Sequence, residues 1–424
     1  MKTRVALFAS LALVVFSVVV GFTQADFSGR WAGQMTTRLS GAGGLEITLA
    51  REGQEWKGSV KLRIGGQEIS PTVEALKIDG AQISFTAAID RTQIKFSGKA
   101  EGDHLNGTLE AFQADQKISD GTFTLTRGGQ MPALQAQGGG AQVADPDFDA
   151  KVIKPAYPKH GPKVLFDEAH NNFHTTTGRY KPFADLIGSD GYQITANTAK
   201  FTRETLKDYR ILVIANALGH PRMGAAEASN PAFTDEESDA VRDWVKAGGS
   251  LLLIADHSPM GAANQILAQR FAVDMSKSYT SDPENYEKES NNLGFIVYTR
   301  ESGRLVDHPI TRGRNDSERL NKVVAFTGQS LKGPPDSVAF MKLADTALDK
   351  MPGPNNPPTS AAGRAQGIAM KFGKGRVIVL GEAAMLSAQI ITGPNGFKFG
   401  MNRPGIDNRQ MALNLMHWLS GLLK

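Results

Sequence analysis

The chain has 424 residues, 41% of them hydrophobic, enough for two or three ordinary cores and too apolar for a disordered chain. Its 47 basic and 43 acidic residues give a formal charge of +4; Lys2 and Arg4 belong to the leader, so the remainder is nearly balanced and favours neither nucleic acid nor an acidic partner. There is no Cys, which excludes a disulfide framework, a lipid-anchored cysteine, a thiolate metal site and a cysteine nucleophile.

The first 25 residues, "MKTRVALFASLALVVFSVVVGFTQA", place two positive charges before an apolar run from Val5 to Val20 and end in a small residue. That is the layout of a secretory signal peptide cut after Ala25, with an uncleaved membrane anchor as the alternative. The expected location is periplasmic or secreted, with membrane contact only through an uncleaved leader.

Residues 26–128 read as a small antiparallel β domain, a barrel or sandwich. "GLEITLAREG", "ISFTAAID", "TQIKFSGKAEG" and "DGTFTLTR" alternate apolar and polar residues between Gly, Asn and Asp turns. Residues 129–158, rich in Gly, Gln, Ala and Pro with no periodic face, read as a linker. From 159 to 424 apolar runs alternate with helical segments. "KVLFD", "YQITAN", "YRILVIANAL", "SLLLIADHSP" and "RVIVLGE" read as strands. "TDEESDAVRDWVKAGG" reads as a helix, opened by a Thr234–Glu237 capping box and closed at Gly248. Asp407 and Gln410 suggest a second capping box before the last helix. Uniformly apolar strands alternating with helices predict a mostly parallel, flavodoxin-like α/β sheet. No G-x-G-x-x-G or P-loop occurs, so no nucleotide is expected. Two polar insertions, 276–292 and 351–366, have the length of lids.

In such a sheet ligands bind beyond the carboxyl ends of the strands. There lie Asp167, His170, Asn171 and His174 after the first strand, Asn216 and His220 after the third, Asp256, His257 and Ser258 after the fourth, and Glu382 after "RVIVLG". Asp167 and Asp256 also suit helix caps, and Glu382 suits either a cap neighbour or a site acid. His170 and His174, four apart, share one face of a helix and with His257 are candidate metal ligands, which makes a divalent metal the one cofactor in view. "GMNRPGIDNRQ" adds Asn402 and Asp407 at a helix start. Tyr180, Tyr279, Tyr286, Phe397 and Phe399 are candidate aromatic walls.

Through "FDEAHNNFHTTTGRY", "LVIANAL", "FTDEESDAVRDWVKAGGSLLLIADHSP", "GKGRVIVLGEAAMLSAQ" and "DNRQMALNLMHWL", residues of about 160–424 resemble the class I glutamine amidotransferase-like superfamily. More narrowly they resemble an exported branch related to the soluble domains of gliding-motility-type ABC-transporter components. "DFSGRWAG" resembles the first strand of lipocalin-like barrels. The resemblance implies a nucleophile elbow near Asp256-His257-Ser258 and a late His and Glu where this chain has "GEAAM". Without Cys the cysteine glutaminase is excluded, and Ser258 with His257 and Glu382 makes a poor substitute, since chain neighbours rarely aim at each other as nucleophile and base. The leading expectation is a non-catalytic binding module holding a small polar molecule, a sugar or peptide fragment, at the strand ends. Its β domain would meet an envelope protein. A metal-dependent hydrolase on the same Asp/His cluster and a scaffold whose polar edge is an interface are the alternatives. Exchange of His170 and His257 for Ala is then expected to abolish affinity with little change in melting temperature.

Overall fold

The computed structural model describes residues 25–37, 41–53, 55–64, 67–89, 92–113, 116–131, 142–353, 356–391 and 397–424. The expected leader therefore lies outside the described residues apart from Ala25. Among the described residues no helix is long and apolar enough to cross a membrane. The chain divides into two compact units, Met1–Gln135 and Ala136–Lys424.

The first unit is one nine-stranded sheet. Its strands are β1 (Gly29–Thr37), β2 (Gly41–Glu52), β3 (Glu55–Ile64), β4 (Gln67–Ile69), β5 (Thr72–Asp79), β6 (Gln82–Ile89), β7 (Thr92–Glu101), β8 (His104–Gln113) and β9 (Gln116–Arg127). The order is β4-β3-β2-β1-β9-β8-β7-β6-β5, every pairing antiparallel. Period-two alternation turns Trp31, Met35, Leu45, Ile47, Phe85, Phe96 and Leu125 to one buried face. The Trp31 indole N–H donates to the Phe27 carbonyl at 2.9 Å, and the Arg127 guanidinium lies over its ring, 4.3 Å from the centroid. Trp31 thus fills the core rather than a cavity.

The second unit opens with β10 (Gln142–Ala144), β11 (Lys163–Asp167), α1 (Lys181–Ser189), β12 (Gln193–Asn197), α2 (Arg203–Leu206) and β13 (Ile211–Ala215). Then come α3 (Asp235–Ala247), β14 (Ser250–Ile254), α4 (Met260–Ala268), β15 (Asp274–Met275), β16 (Tyr279–Ser281), β17 (Val297–Thr299), α5 (Pro309–Arg312) and β18 (Lys322–Val324). The rest are β19 (Leu331–Lys332), β20 (Val338–Lys342), β21 (Leu348–Lys350), β22 (Thr359–Ser360), β23 (Ala365–Phe372), β24 (Gly375–Leu380), β25 (Ala388–Ile391), β26 (Phe397–Gly400) and α6 (Asn408–Ser420).

Its main sheet runs β12-β11-β13-β14-β24-β23-β19-β15, with β20 also on β23. The expected mostly parallel, flavodoxin-like architecture is overturned. The chain as a whole is mostly β, dominated by the antiparallel sheet of the first unit. In the second unit the four parallel pairings among β12, β11, β13, β14 and β24 are matched by four antiparallel ones around β23 and β19. The reversal has a local cause. Gly373, at φ +58°, and Lys374 form a two-residue turn that closes on the Phe372–Gly375 pair, and so short a link joins only antiparallel strands. The further antiparallel strands are two to five residues long, too short to show a period.

Both faces of the central strands are covered. Val164, Phe166, Val213, Ile254, Ile378 and Leu380 pack with Phe183 and Leu186 of α1 and Met411 and Leu415 of α6. Their alternate neighbours Leu165, Leu212, Leu253 and Val379 pack with Val241 and Val245 of α3 and Leu267 of α4. This two-sided burial makes the strands apolar throughout. Residues 142–158 are not linker. β10 pairs with β25, Asp145 is buried, and the Tyr157 ring packs edge-on to Tyr192 at 5.2 Å. Nor is insertion 276–292 loose: β16 pairs with β21, and Arg403 holds Glu287 through two bonds of 2.7 and 2.5 Å.

Candidate functional site

The register β13–β14–β24 aligns Ala215, Ile254 and Leu380, so the residues just beyond these strands emerge at one edge. Asn216, Asp256 and Glu382 meet there. The Asn216 amide oxygen accepts the Asp256 backbone N–H at 2.9 Å, and its NH2 group approaches Asp256 Oδ2 at 3.4 Å. Glu382 is fully buried and accepts N–H groups of Ala384 and Met385 at 2.6 and 2.8 Å. Burial pushes its carboxyl well above the usual carboxylate range, and the charge of Asp256 pushes it further. Burial also pushes Asp256 up, to about 7, against the Asn216 hydrogen bond and the nearby His257 and Ala383 backbone N–H groups. Two carboxylates this close and this dry do not both ionise readily, so they titrate as a pair. Asp256 Oδ1 is sealed from solvent and accepts no hydrogen bond of regular geometry.

Around the pair the packing is specific. The His257 ring stacks on Tyr279 at 3.9 Å, its Nδ1 lies 2.8 Å from the Ser258 carbonyl, and burial lowers its pKa. The Tyr180 hydroxyl donates to the Ala383 carbonyl at 2.7 Å; burial, then the Glu382 and Asp256 charges, keep it protonated. Gln329 donates to the Ala255 and Asp256 carbonyls at 2.9 Å each and accepts the Lys277 N–H at 2.8 Å. Gly328 has no room for a side chain: a Cβ there would meet the Gly381 carbonyl at 2.3 Å and Glu382 Cβ at 2.7 Å. Four non-glycine residues at this edge hold left-handed backbone: Asn171, Asn216, Lys277 and Thr327, at φ 49°, 52°, 62° and 71°. For β-branched Thr327 that conformation is strained, and such strain collects at working sites. Thr327→Asn is expected to raise stability by ~0.5–1 kcal/mol in chemical denaturation, since Asn tolerates the left-handed region.

Other predicted residues serve elsewhere. Asp167 and His170 form a brace. Both Asp167 carboxylate oxygens lie 2.9 Å from His170 Nδ1, and Nε2 lies 3.0 Å from Glu237 Oε1. Phe201 and Phe233 flank the imidazole, each 4.7 Å away. Burial opposes the charge of His170, but hydrogen bonds and charges of Asp167, then Glu237, win and raise its pKa. Glu237 meanwhile caps α3, accepting the Thr234 N–H at 3.0 Å. The expectation that His170 is a ligand wall is therefore corrected: both its nitrogens are engaged. His174 is buried, stacks on Tyr180 at 4.7 Å and is held neutral, its pKa lowered to about 3 by burial and then by Arg179. Asn171 is exposed and donates to the Leu218 carbonyl at 3.2 Å.

Asn402 lies apart, in a cleft of ≈ 350 Å³ with Asp145, Asp147, Phe148, Lys398 and Arg409, and donates to Asp145 at 2.8 Å. Asp407 makes no side-chain cap to α6; its Oδ2 instead accepts the Asn321 and Lys322 N–H groups at 2.7 and 2.9 Å. The suggested second capping box is absent because that carboxylate serves the start of β18. Among the described residues no three His, Cys, Asp or Glu gather as metal ligands, so His170, His174 and His257 do not form the expected metal group. Sequence reasoning missed Thr327 and Gln329, although they directly follow the buried apolar run Val323–Phe326 that starts in β18, and the Glu237–His170 link, which spans 67 residues.

No family model and no curated protein matches the chain. Among solved structures it is similar to a cytoplasmic protein from Salmonella typhimurium LT2, at 14% identity and TM-score 0.34, over 61% of this chain and 98% of that one. It is also similar to an exo-beta-1,4-mannosidase from Opitutaceae bacterium strain TAV5, at 12% identity and TM-score 0.27, over 53% of this chain and 32% of that one. A secretory abundant heat soluble protein from Ramazzottius varieornatus shares 14% identity at TM-score 0.17, over 24% of this chain and 93% of that one. At these TM-scores the likenesses carry no argument about activity or ligand.

Proposed function

We propose that this is an exported binding module whose second unit holds a small polar ligand, a sugar or peptide fragment, at the Asp256 edge. The observation that carries the reading is Asp256 Oδ1, a buried acceptor with no partner beside a second buried carboxylate. A protein tolerates such a group where a ligand satisfies it, because left alone it destabilises the fold. The stacked His257–Tyr279 pair beside it supplies an aromatic wall of the kind that small-molecule sites combine with a few polar groups. The amidotransferase-like resemblance lends this reading no support, since the mostly parallel sheet it implies is overturned and the chain has no Cys. A metal-dependent hydrolase has no ligand set among the described residues.

The test is isothermal titration of the full chain with a panel of monosaccharides, disaccharides and short peptides. Binders are expected, and Asp256→Ala should weaken them at least about tenfold, ~1.4 kcal/mol. Affinity that survives in Asp256→Ala, or a panel with no binder, removes the proposal.

A further inference from the structure

We infer that the ligand group received at Asp256 is a protonated primary amine, an inference that rests on the binding reading above. The strand-end edge carries two pairs of carboxylates, all buried except Asp256, which is partly exposed, and they are treated differently. Asp167 and Glu237 share their own cation, His170, placed between them. Asp256 and Glu382 have none: among the described residues no Lys or Arg forms an ion pair with either. The second pair lacks the positive charge that the first contains.

The open positions narrow the chemistry. Both Glu382 oxygens are taken by the Ala384 and Met385 N–H groups, and Asp256 Oδ2 has Asn216. Of these four oxygens only Asp256 Oδ1 lacks a partner. A guanidinium binds best to two open oxygens side by side, which this site does not offer. A quaternary ammonium has no N–H to donate. A hydroxyl or amide satisfies the acceptor but brings no positive charge to help the carboxylate ionise. An ammonium group does both, with compact charge and up to three donors. The His257–Tyr279 stack, whose tyrosine feels the Asp256 charge, would lie beside the carbon skeleton that carries it.

Such an amine has two plain sources, an amino sugar and the α-amino end of a peptide. The experiment titrates the full chain with glucosamine and glycylglycine, each against its N-acetylated twin, near neutral pH. In at least one pair the amine is expected to bind about tenfold or more tighter than its twin (~1.4 kcal/mol). That preference should vanish in Asp256→Asn, which keeps the shape and removes the charge. The pair that shows it identifies the source. If the acetylated twins bind as well as the amines and still require Asp256, the amine inference fails and the binding module stands. If no member of either pair binds while Zn2+ or Ca2+ does so through Asp256, the amine inference is overturned in favour of an inorganic cation. If nothing at all binds, both readings fall.

Discussion

His170→Ala is expected to lower the unfolding free energy by about 3–5 kcal/mol, because it leaves two buried carboxylates without their shared cation. Asp167 is fully buried and Glu237 is 4% exposed, so neither can turn to water without moving its element. Asp167 keeps the Asn172 and Asn197 amides, at 2.9 and 3.2 Å, but these supply no charge. The imidazole also fills the space between Phe201 and Phe233, so the variant adds a cavity to the electrostatic loss. The effect depends on pH in a fixed sense. His170 has a raised pKa in the fold, so its contribution is complete below the ordinary value of 6.5 and is lost as pH rises through the folded one. The difference between native and variant chains should therefore narrow in alkali. Urea denaturation at several pH values checks this, and a loss below about 1 kcal/mol at acidic pH would show that the brace bears no weight.

Asp256→Asn should do the opposite and stabilise the protein at and above neutral pH. Asp256 rises from 3.8 to about 7 on folding, so its contribution is complete below 3.8 and is lost as pH climbs through about 7. A shift of that size corresponds to ~4 kcal/mol at most, and because Asp256 is partly exposed the expected gain is roughly 1–3 kcal/mol. Glu382 acts in the same direction, Tyr180 and Tyr279 stay protonated, and His257 stays neutral, so nothing nearby cancels the slope. The variant should melt close to the native chain near pH 4 and above it near pH 8, a window set by those two values. Equal melting profiles across that range would mean that the carboxylate pair is compensated after all.

These two residues show how much of the site is legible in the sequence. His170 and Asp256 both lie just beyond five-residue apolar strands, and that position alone marks them. Apolar runs and strand ends are local signals, so the parallel strands β11, β13, β14 and β24 and their polar termini can be read directly. The partner that each terminus faces is not local. Glu237 advertises only its capping box, since one of its carboxylate oxygens finds a histidine 67 positions earlier. The mixed character of the sheet is hidden for the same reason, because strands of two or three residues, such as β15 and β19, exist only through their partners. Asn402 and Asp407 look like members of the site because they crowd a helix start, yet the topology places that helix start at a different cleft and at β18.

The connection between β14 and β24 has a consequence for how the chain acquires its structure. These two strands are neighbours in the sheet, yet residues 255–374 lie between them. Closing so long a segment must precede the pairing that creates the Asp256–Glu382 edge, and non-local pairings of this kind slow folding. In the first unit most strands pair with the next strand along the chain, with only β1–β9 spanning the unit. The N-terminal sheet can therefore form quickly as the chain emerges. The second unit must wait, with its apolar strands exposed, until β24 near the end of the chain has been made.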